Sequence, residues 1–130
     1  MTSERPAISL LDGDFSICRL GRIPDTDALP HPFFIAGTSD EISLVCRGSC
    51  VPADAIGISP GWTMLRVEGP LDFSMVGVIS GISAVLADAE VSIFAVSTYL
   101  TDYLLVRSED ARRACDALAS EGYTIMRDAE

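Results

Sequence analysis

Residues 65–123 read LRVEGPLDFSMVGVISGISAVLADAEVSIFAVSTYLTDYLLVRSEDARRACDALASEGY, and the periodicity of this stretch decides the fold. A strand is predicted at 62–69, where side chains alternate between two faces until Gly69-Pro70 ends it. Apolar side chains then recur at helical spacing up to about Ala89, which predicts a helix that packs one face on a sheet. That apolar face consists of Met75, Ile79, Ile82 and Leu86.

The remainder of the stretch predicts two strands, a second helix and a last strand. VSIFAVS at 91–97 is β-branched and aromatic, which is typical of a buried central strand, and YLLVR at 103–107 is expected to pair with it. Ser108 is a good N-cap for the second helix, Gly122 suits the left-handed position after its end, and YTIMR at 123–127 forms the last strand. The order β, α, β, β, α, β predicts an α+β fold of the ferredoxin-like type.

The first half of the chain reads as short strands. AISLL at 7–11 and FSICRL at 15–20 flank Asp12-Gly13-Asp14, a tight-turn signal that predicts a hairpin. FFIAGT at 33–38 and EISLVCR at 41–47 are separated by two polar residues and predict a second hairpin.

Proline and glycine mark the breaks between these elements. Residues 21–32 hold three prolines, which favours an ordered loop without a helix. Ser59-Pro60-Gly61 interrupts the chain again. We therefore predict two domains, a strand-rich one at 1–60 and a βαββαβ one at 61–130.

Charge and composition narrow the classes of partner. The formal net charge is −10, from 9 Lys plus Arg against 19 Asp plus Glu, and such a chain repels phosphate backbones and anionic lipid. We therefore expect no nucleic-acid partner and no membrane partner. No apolar stretch is long enough to span a bilayer, and the N-terminus lacks the pattern of a signal peptide, so we expect a cytoplasmic location.

The chain offers little material for catalysis or metal binding. His31 is the only histidine and stands in the proline-rich loop, and no nucleophile motif or phosphate-binding loop occurs. Cys46 and Cys50 are close in sequence, but their spacing is not C-x-x-C and the other two cysteines are distant. We expect reduced thiols, no metal, no cofactor and no enzymatic activity.

Two segments carry polar groups suited to a ligand. Four of the six residues at 97–102 bear a hydroxyl and one bears a carboxylate, a density that a hairpin connection does not require. Thr98 and Asp102 are, however, also residues that simply close turns. Gly77 lies near the start of the first helix, where unsatisfied backbone N–H groups favour anions, whereas Gly81 is better explained by close packing.

The quoted stretch resembles the C-terminal module of small two-module ACT proteins, a group related to the regulatory end of aspartate kinases and to cytosolic arginine sensors. Three motifs carry the resemblance: V-x-G-x-L-D-F at 67–73, G-x-x-x-x-I-S-x-x-L at 77–86 and S-T-x-x-T-D-Y-x-L-V at 97–106. The first half contributes T-x-x-E-I-S-L-V-C at 38–46. Leu100 stands where a polar residue is more usual in the family.

The resemblance implies a fold and a ligand. The first half is then a shortened ACT-like unit, in which the proline-rich loop replaces the missing helix. Proteins of this kind are often homodimers, so a homodimer is expected here. ACT modules usually bind amino acids with the loop and helix start after the first strand, together with a facing strand. One wall of the implied site is Asp72, Phe73, Ser74, Met75, Val76 and Gly77, and the other is Ser97, Thr98, Tyr99, Thr101 and Asp102.

The expected function is that of a regulatory protein that binds a small amino-acid-like ligand. Backbone N–H groups at 75–77 are suited to an α-carboxylate and Asp102 to an amino group, while Asp72 or Ser74 serves equally well as a simple helix cap. The alternative is a structural interaction module that pairs with an enzyme or transporter and binds no metabolite.

Overall fold

The computed structural model describes residues 5–68 and 77–128. Its eight strands are β1 (Ile8–Leu11), β2 (Phe15–Leu20), β3 (Phe34–Gly37), β4 (Ile42–Arg47), β5 (Gly57–Val67), β6 (Ile93–Ser97), β7 (Asp102–Arg107) and β8 (Ile125–Asp128). The two helices are α1 (Val78–Asp88) and α2 (Ala111–Ser120). The chain forms two compact units: a larger one of residues 1–12 and 63–130, and a smaller one of residues 13–62.

The larger unit has the predicted order of β5, α1, β6, β7, α2 and β8, so the α+β, ferredoxin-like fold class is confirmed. Its sheet order is β8-β1-β5-β7-β6. Both helices contribute to the buried core, and within the predicted apolar stripe Ile82 and Leu86 are buried while Ile79 packs against them. The fully buried core side chains include Ile8, Leu65, Val67, Ile82, Leu86, Leu104, Val106 and Leu118.

The first strand does not form the predicted hairpin with the second. β1 instead pairs antiparallel with β5, with Ile8 opposite Val67, and parallel with β8, with Ile8 opposite Ile125. Asp12-Gly13-Asp14 separates the two strands, and Gly13 has φ +85, but a break between strands does not determine whether those strands pair with each other. β1 therefore belongs to the sheet of the larger unit, as a strand additional to the βαββαβ order.

The prediction that 91–97 forms a central buried strand was wrong. Among the described residues, β6 pairs with β7 alone, and its side chains are half-buried or exposed. The buried partner of β6 is the interior strand β7, where Leu104, Leu105 and Val106 are fully buried. An apolar run signals burial but does not distinguish a central strand from its edge neighbour.

The smaller unit has the strand order β3-β4-β2-β5, to which β5 contributes its first residues. The predicted β3–β4 hairpin is confirmed by the pairing of Gly37 with Ile42. Pro60 and Gly61 were expected to interrupt the chain, but they lie inside β5. Phe15 pairs with Trp62 and Ile17 with Ser59, so β5 has one residue more than β2 between these pairs and forms a bulge. The proline-rich loop contains one short 3₁₀ turn, Thr26–Ala28, and no α-helix.

Close packing explains Gly81. A Cβ atom at this position would lie 3.1 Å from the hydroxyl oxygen of Tyr123, closer than such contacts usually are. No helix within the described ranges 5–68 and 77–128 is long and apolar enough to cross a membrane.

The end of α1 provides a stability prediction. Glu90 has φ +60 and forms a Schellman motif, in which its N–H donates to Ala87 O at 3.0 Å and Val91 N–H donates to Leu86 O at 2.9 Å. Glycine adopts this backbone conformation without the steric cost that a Cβ atom imposes. We expect Glu90→Gly to raise the free energy of unfolding by about 0.5–1 kcal/mol in urea titrations.

Glu90→Ala is the matched control, because alanine removes the same carboxylate but keeps the Cβ atom. A Glu90→Gly protein no more stable than Glu90→Ala would contradict the backbone explanation.

Candidate functional site

The predicted second wall is a tight hairpin between β6 and β7. Ser97 and Asp102 face each other as the last pair of the ladder, and the Ser97 hydroxyl donates to Asp102 Oδ1 at 2.6 Å. Tyr99 and Leu100 occupy the tip, with 81% and 60% of their surface exposed. The structure therefore brings the predicted residues Ser97, Thr98, Tyr99, Thr101 and Asp102 together.

Two threonines of this hairpin are committed to the turn itself. The Thr98 hydroxyl donates to Thr101 O at 2.9 Å and accepts from the Thr101 N–H at 3.2 Å. The Thr98 N–H also donates to Thr101 O, at 2.8 Å. This supports the turn-closing interpretation of Thr98, whereas Asp102 uses one carboxylate oxygen for Ser97 and has a second oxygen with acceptor capacity.

A buried contact attaches the hairpin to the end of β5. The Thr101 hydroxyl donates to Val67 O at 2.6 Å, and Thr101 is nearly buried. On the other side of β5, the Glu68 N–H donates to Ala7 O at 2.8 Å. The hairpin thus lies beside the end of β5.

The predicted first wall is described only at its last residue. The other five residues of this wall lie outside the described residues: Asp72, Phe73, Ser74, Met75 and Val76. The capping role expected of Asp72 or Ser74 falls in the same segment. Gly77, at φ +84, is the N-cap of α1.

The start of α1 is later than the sequence predicted. Its first hydrogen bond runs from the Gly81 N–H to Gly77 O at 2.8 Å. The N–H groups at the start of α1 that lack a partner within the helix are therefore those of Val78, Ile79 and Ser80. The sequence periodicity could not show this shift, because apolar spacing places a helix face and not its first residue.

A polar cluster beside the end of β5 was not predicted. Glu68 Oε2 accepts from Arg66 Nε at 3.1 Å and also from the hydroxyl of the buried Ser9. Ser9 and Arg66 are opposite each other in the β1–β5 ladder. The sequence contained one signal for this cluster, the alternation of charged Arg66 and Glu68 with apolar Leu65 and Val67. This pattern indicates that the charged side chains share one face of the strand, but it does not show that Ser9 of β1 is their partner.

The polar side chains of the hairpin at 97–102 are hydroxyls and one carboxylate. Both kinds of group accept hydrogen bonds from an amino group, and the hydroxyls also donate to a carboxylate. The single histidine belongs to the smaller unit, where its ring lies 5.5 Å from that of Phe33. Within 5–68 and 77–128, no group of three or more His, Cys, Asp or Glu residues is placed to hold a metal ion.

Comparison with known proteins identifies a matching family and similar solved structures. The ACT domain family matches residues 57–120. The crystal structure of protein Atu0741 from Agrobacterium tumefaciens is similar at 30% identity and a TM-score of 0.86, over 98% of this chain and 97% of that one. No curated protein matches the chain.

More distant structures share the fold. VC0802 from Vibrio cholerae, a protein of unknown function, is 19% identical with a TM-score of 0.68, over 88% of each chain. The regulatory subunit of aspartate kinase from Thermus thermophilus is 13% identical with a TM-score of 0.58, over 85% of this chain and 93% of that one. Aspartate kinase from Clostridium acetobutylicum is 12% identical with a TM-score of 0.67, and 94% of this chain corresponds to 37% of that enzyme.

Proposed function

Because the chain belongs to the ACT domain family, we propose that it is a non-catalytic regulatory protein that binds a small amino-acid-like ligand. The observation that supports the proposal most directly is the bond from the Thr101 hydroxyl to Val67 O. It fixes a hairpin rich in hydroxyls at the end of β5, beside the start of the segment that supplies the other expected wall. The proposed contacts are Asp72, Phe73, Ser74, Met75, Val76, Gly77, Ser97, Thr98, Tyr99, Thr101 and Asp102.

Three sets of groups around the hairpin have a physical role in the proposed binding. The second carboxylate oxygen of Asp102 accepts a hydrogen bond from a protonated amino group, which is stronger than a bond between neutral groups. The unsatisfied N–H groups at the start of α1 and the positive end of its dipole stabilise the ligand carboxylate. Tyr99 and Leu100 at the exposed tip cover the apolar part of the ligand.

The test is a thermal-shift and calorimetric panel of the twenty amino acids. A ligand at 100 times its Kd stabilises the folded state by about 2.7 kcal/mol, a shift of several degrees in Tm for a chain of this size. Asp102→Asn, which keeps the size and the bond to Ser97, is expected to weaken binding about tenfold or more. Asp116→Asn, an exposed change on α2, is the control and should leave affinity unchanged.

No response to any amino acid at millimolar concentration would contradict the proposal. Equal affinity of the Asp102→Asn and Asp116→Asn proteins would contradict the role of Asp102.

The edge strand β6 favours a second candidate, a structural module that pairs with an enzyme or transporter. Its Ile93, Phe94 and Val96 are only half-buried, and an apolar edge strand is a template for pairing with another strand. We propose that the homodimer implied by the family resemblance also forms through this edge.

Pull-down from native lysate distinguishes the two functions: a stoichiometric partner that the Asp102→Ala protein still retains favours the structural module. The cytoplasmic location stays a prediction.

A further inference from the structure

The smaller unit contains a cavity that exists because its sheet carries no α-helix. In the larger unit α1 and α2 pack into the core beside the strands, whereas in the smaller unit the corresponding connections contain only the 3₁₀ turns Thr26–Ala28 and Gly48–Cys50. Loops cover a sheet less completely than paired helices. Between these connections remains a cavity of about 540 Å³, within the size range of small-molecule sites.

The walls of the cavity are mainly apolar. Leu20 and Leu29 line it and belong to the buried core of the smaller unit. Val51, Pro52 and the exposed Ile23 line it from the two connections. A lining of this kind stabilises a hydrocarbon group that leaves water.

Three charged residues also line the cavity: Arg22, Asp25 and Asp54. Arg22 Nε and Asp54 Oδ2 form an ion pair at 3.1 Å, but 83% and 57% of the two side chains are exposed, so this pair is weak and readily exchanges with a ligand. Asp25 Oδ1 accepts from the Asp27 N–H at 3.0 Å and so holds the carboxylate in place. Two carboxylates and one guanidinium leave a net charge of −1, which favours a cation.

We propose that this cavity binds a small organic cation, a primary amine on a compact hydrocarbon body, with the ammonium group between Asp25 and Asp54. The inference is independent of the proposed amino-acid site, because every lining residue lies in the smaller unit. The hydrocarbon body displaces water from the apolar walls, and the ammonium group replaces Arg22 as the partner of Asp54.

Cys50 provides a reporter within the cavity. Cys50 lines the cavity and is partly exposed. Cys18 and Cys46 are buried, and burial raises the pKa of both thiols. Both thiols are therefore unreactive near neutral pH. The alkylation rate of Cys50 by iodoacetamide, followed by peptide mass spectrometry, therefore measures whether the cavity is occupied. N-acetylcysteine added to the same reaction serves as the reference thiol, because burial also raises the pKa of the Cys115 thiol.

The probes are 2-phenylethylamine, the neutral 2-phenylethanol and the anionic phenylacetate. We expect the amine to slow alkylation of Cys50 at least about tenfold more effectively than the alcohol, and the phenylacetate to have no effect. The alkylation rate of N-acetylcysteine should stay constant. Equal protection by amine and alcohol would reduce the cavity to an unspecific apolar space and overturn the proposal. No protection by about 10 mM amine would overturn it as well.

Two variants separate charge from volume. Asp54→Asn is expected to abolish the preference for the amine, while Asp40→Asn, an exposed change away from the cavity, preserves it. Ala28→Phe places a ring in the cavity and is expected to remove protection by every probe. Unchanged protection in both Asp54→Asn and Ala28→Phe would show that the amine acts elsewhere.

Discussion

A fragment of residues 61–130 is expected not to fold by itself, although it contains the complete βαββαβ sequence. It lacks β1, which lies between β5 and β8 and buries Ile8 completely. Loss of a buried isoleucine costs about 2–5 kcal/mol, and loss of the strand also leaves the hydrogen-bonding edges of β5 and β8 without partners. That is comparable to the whole stability of a small domain. Circular dichroism and urea titration are expected to show no cooperative transition.

Restoring the strand is expected to restore the fold. The register of Ile8 with Val67 and Leu10 with Leu65 brings Asp12 opposite Thr63, so an Asn-Gly turn can join residues 5–12 directly to residues 63–130. This shortened chain is expected to unfold cooperatively, and the same chain with Ile8→Glu serves as its control. A folded 61–130 fragment, or a joined chain that stays unfolded, would contradict the role assigned to β1.

Stability is expected to fall steeply at alkaline pH because of a buried thiol. Burial, with smaller contributions from Cys18 and Cys50, raises the pKa of Cys46 from 9.0 to about 12. Between these values the unfolded chain has released a proton that the folded chain retains. The contribution is therefore intact below pH 9 and is lost at about 1.4 kcal/mol per pH unit from pH 9 towards pH 12.

Urea titrations of the wild-type and Cys46→Ala proteins between pH 8 and pH 10.5 measure this effect. The variant is less stable at pH 8 because the substitution leaves a cavity. Above pH 9, the free energy of unfolding should fall less steeply with pH in the variant than in the wild type, and the two slopes should differ by about 1.4 kcal/mol per pH unit. Cys115, whose thiol pKa is also raised by burial, contributes equally to both proteins. Burial raises the pKa of Cys18 as well, but Cys18 does not contribute equally, because its hydrogen bond to Cys46, which lowers that pKa, is lost in the variant. Parallel pH profiles would contradict the assignment to Cys46.

Local periodicity predicted the elements of the larger unit but not every neighbour in its sheet. The spacing of Ile79, Ile82 and Leu86 is a property of one segment, so it identified α1 from the sequence. The pairing of Ile8 with Val67 joins residues that are distant in the chain. A strand pattern shows which face is buried but contains no information about which strand lies beside it.

The candidate site was predictable to a similar extent. The density of hydroxyls at 97–102 identified the hairpin, but the partners of those hydroxyls depend on tertiary structure. The bond from the Thr101 hydroxyl to Val67 O, on the neighbouring strand β5, joins residues that are distant in the chain. The cavity near Leu29 was not foreseen at all, because it arises from the absence of a helix over the sheet and not from any motif.

The position of β1 also determines when the protein can fold during synthesis. The ribosome makes β1 before its partners β5 and β8, so the larger sheet cannot be completed until β8 has emerged. Residues 13–62 are contiguous and can assemble earlier. Until then, the apolar segment Ile8–Leu11 remains exposed on the nascent chain, where strands without partners are prone to aggregate.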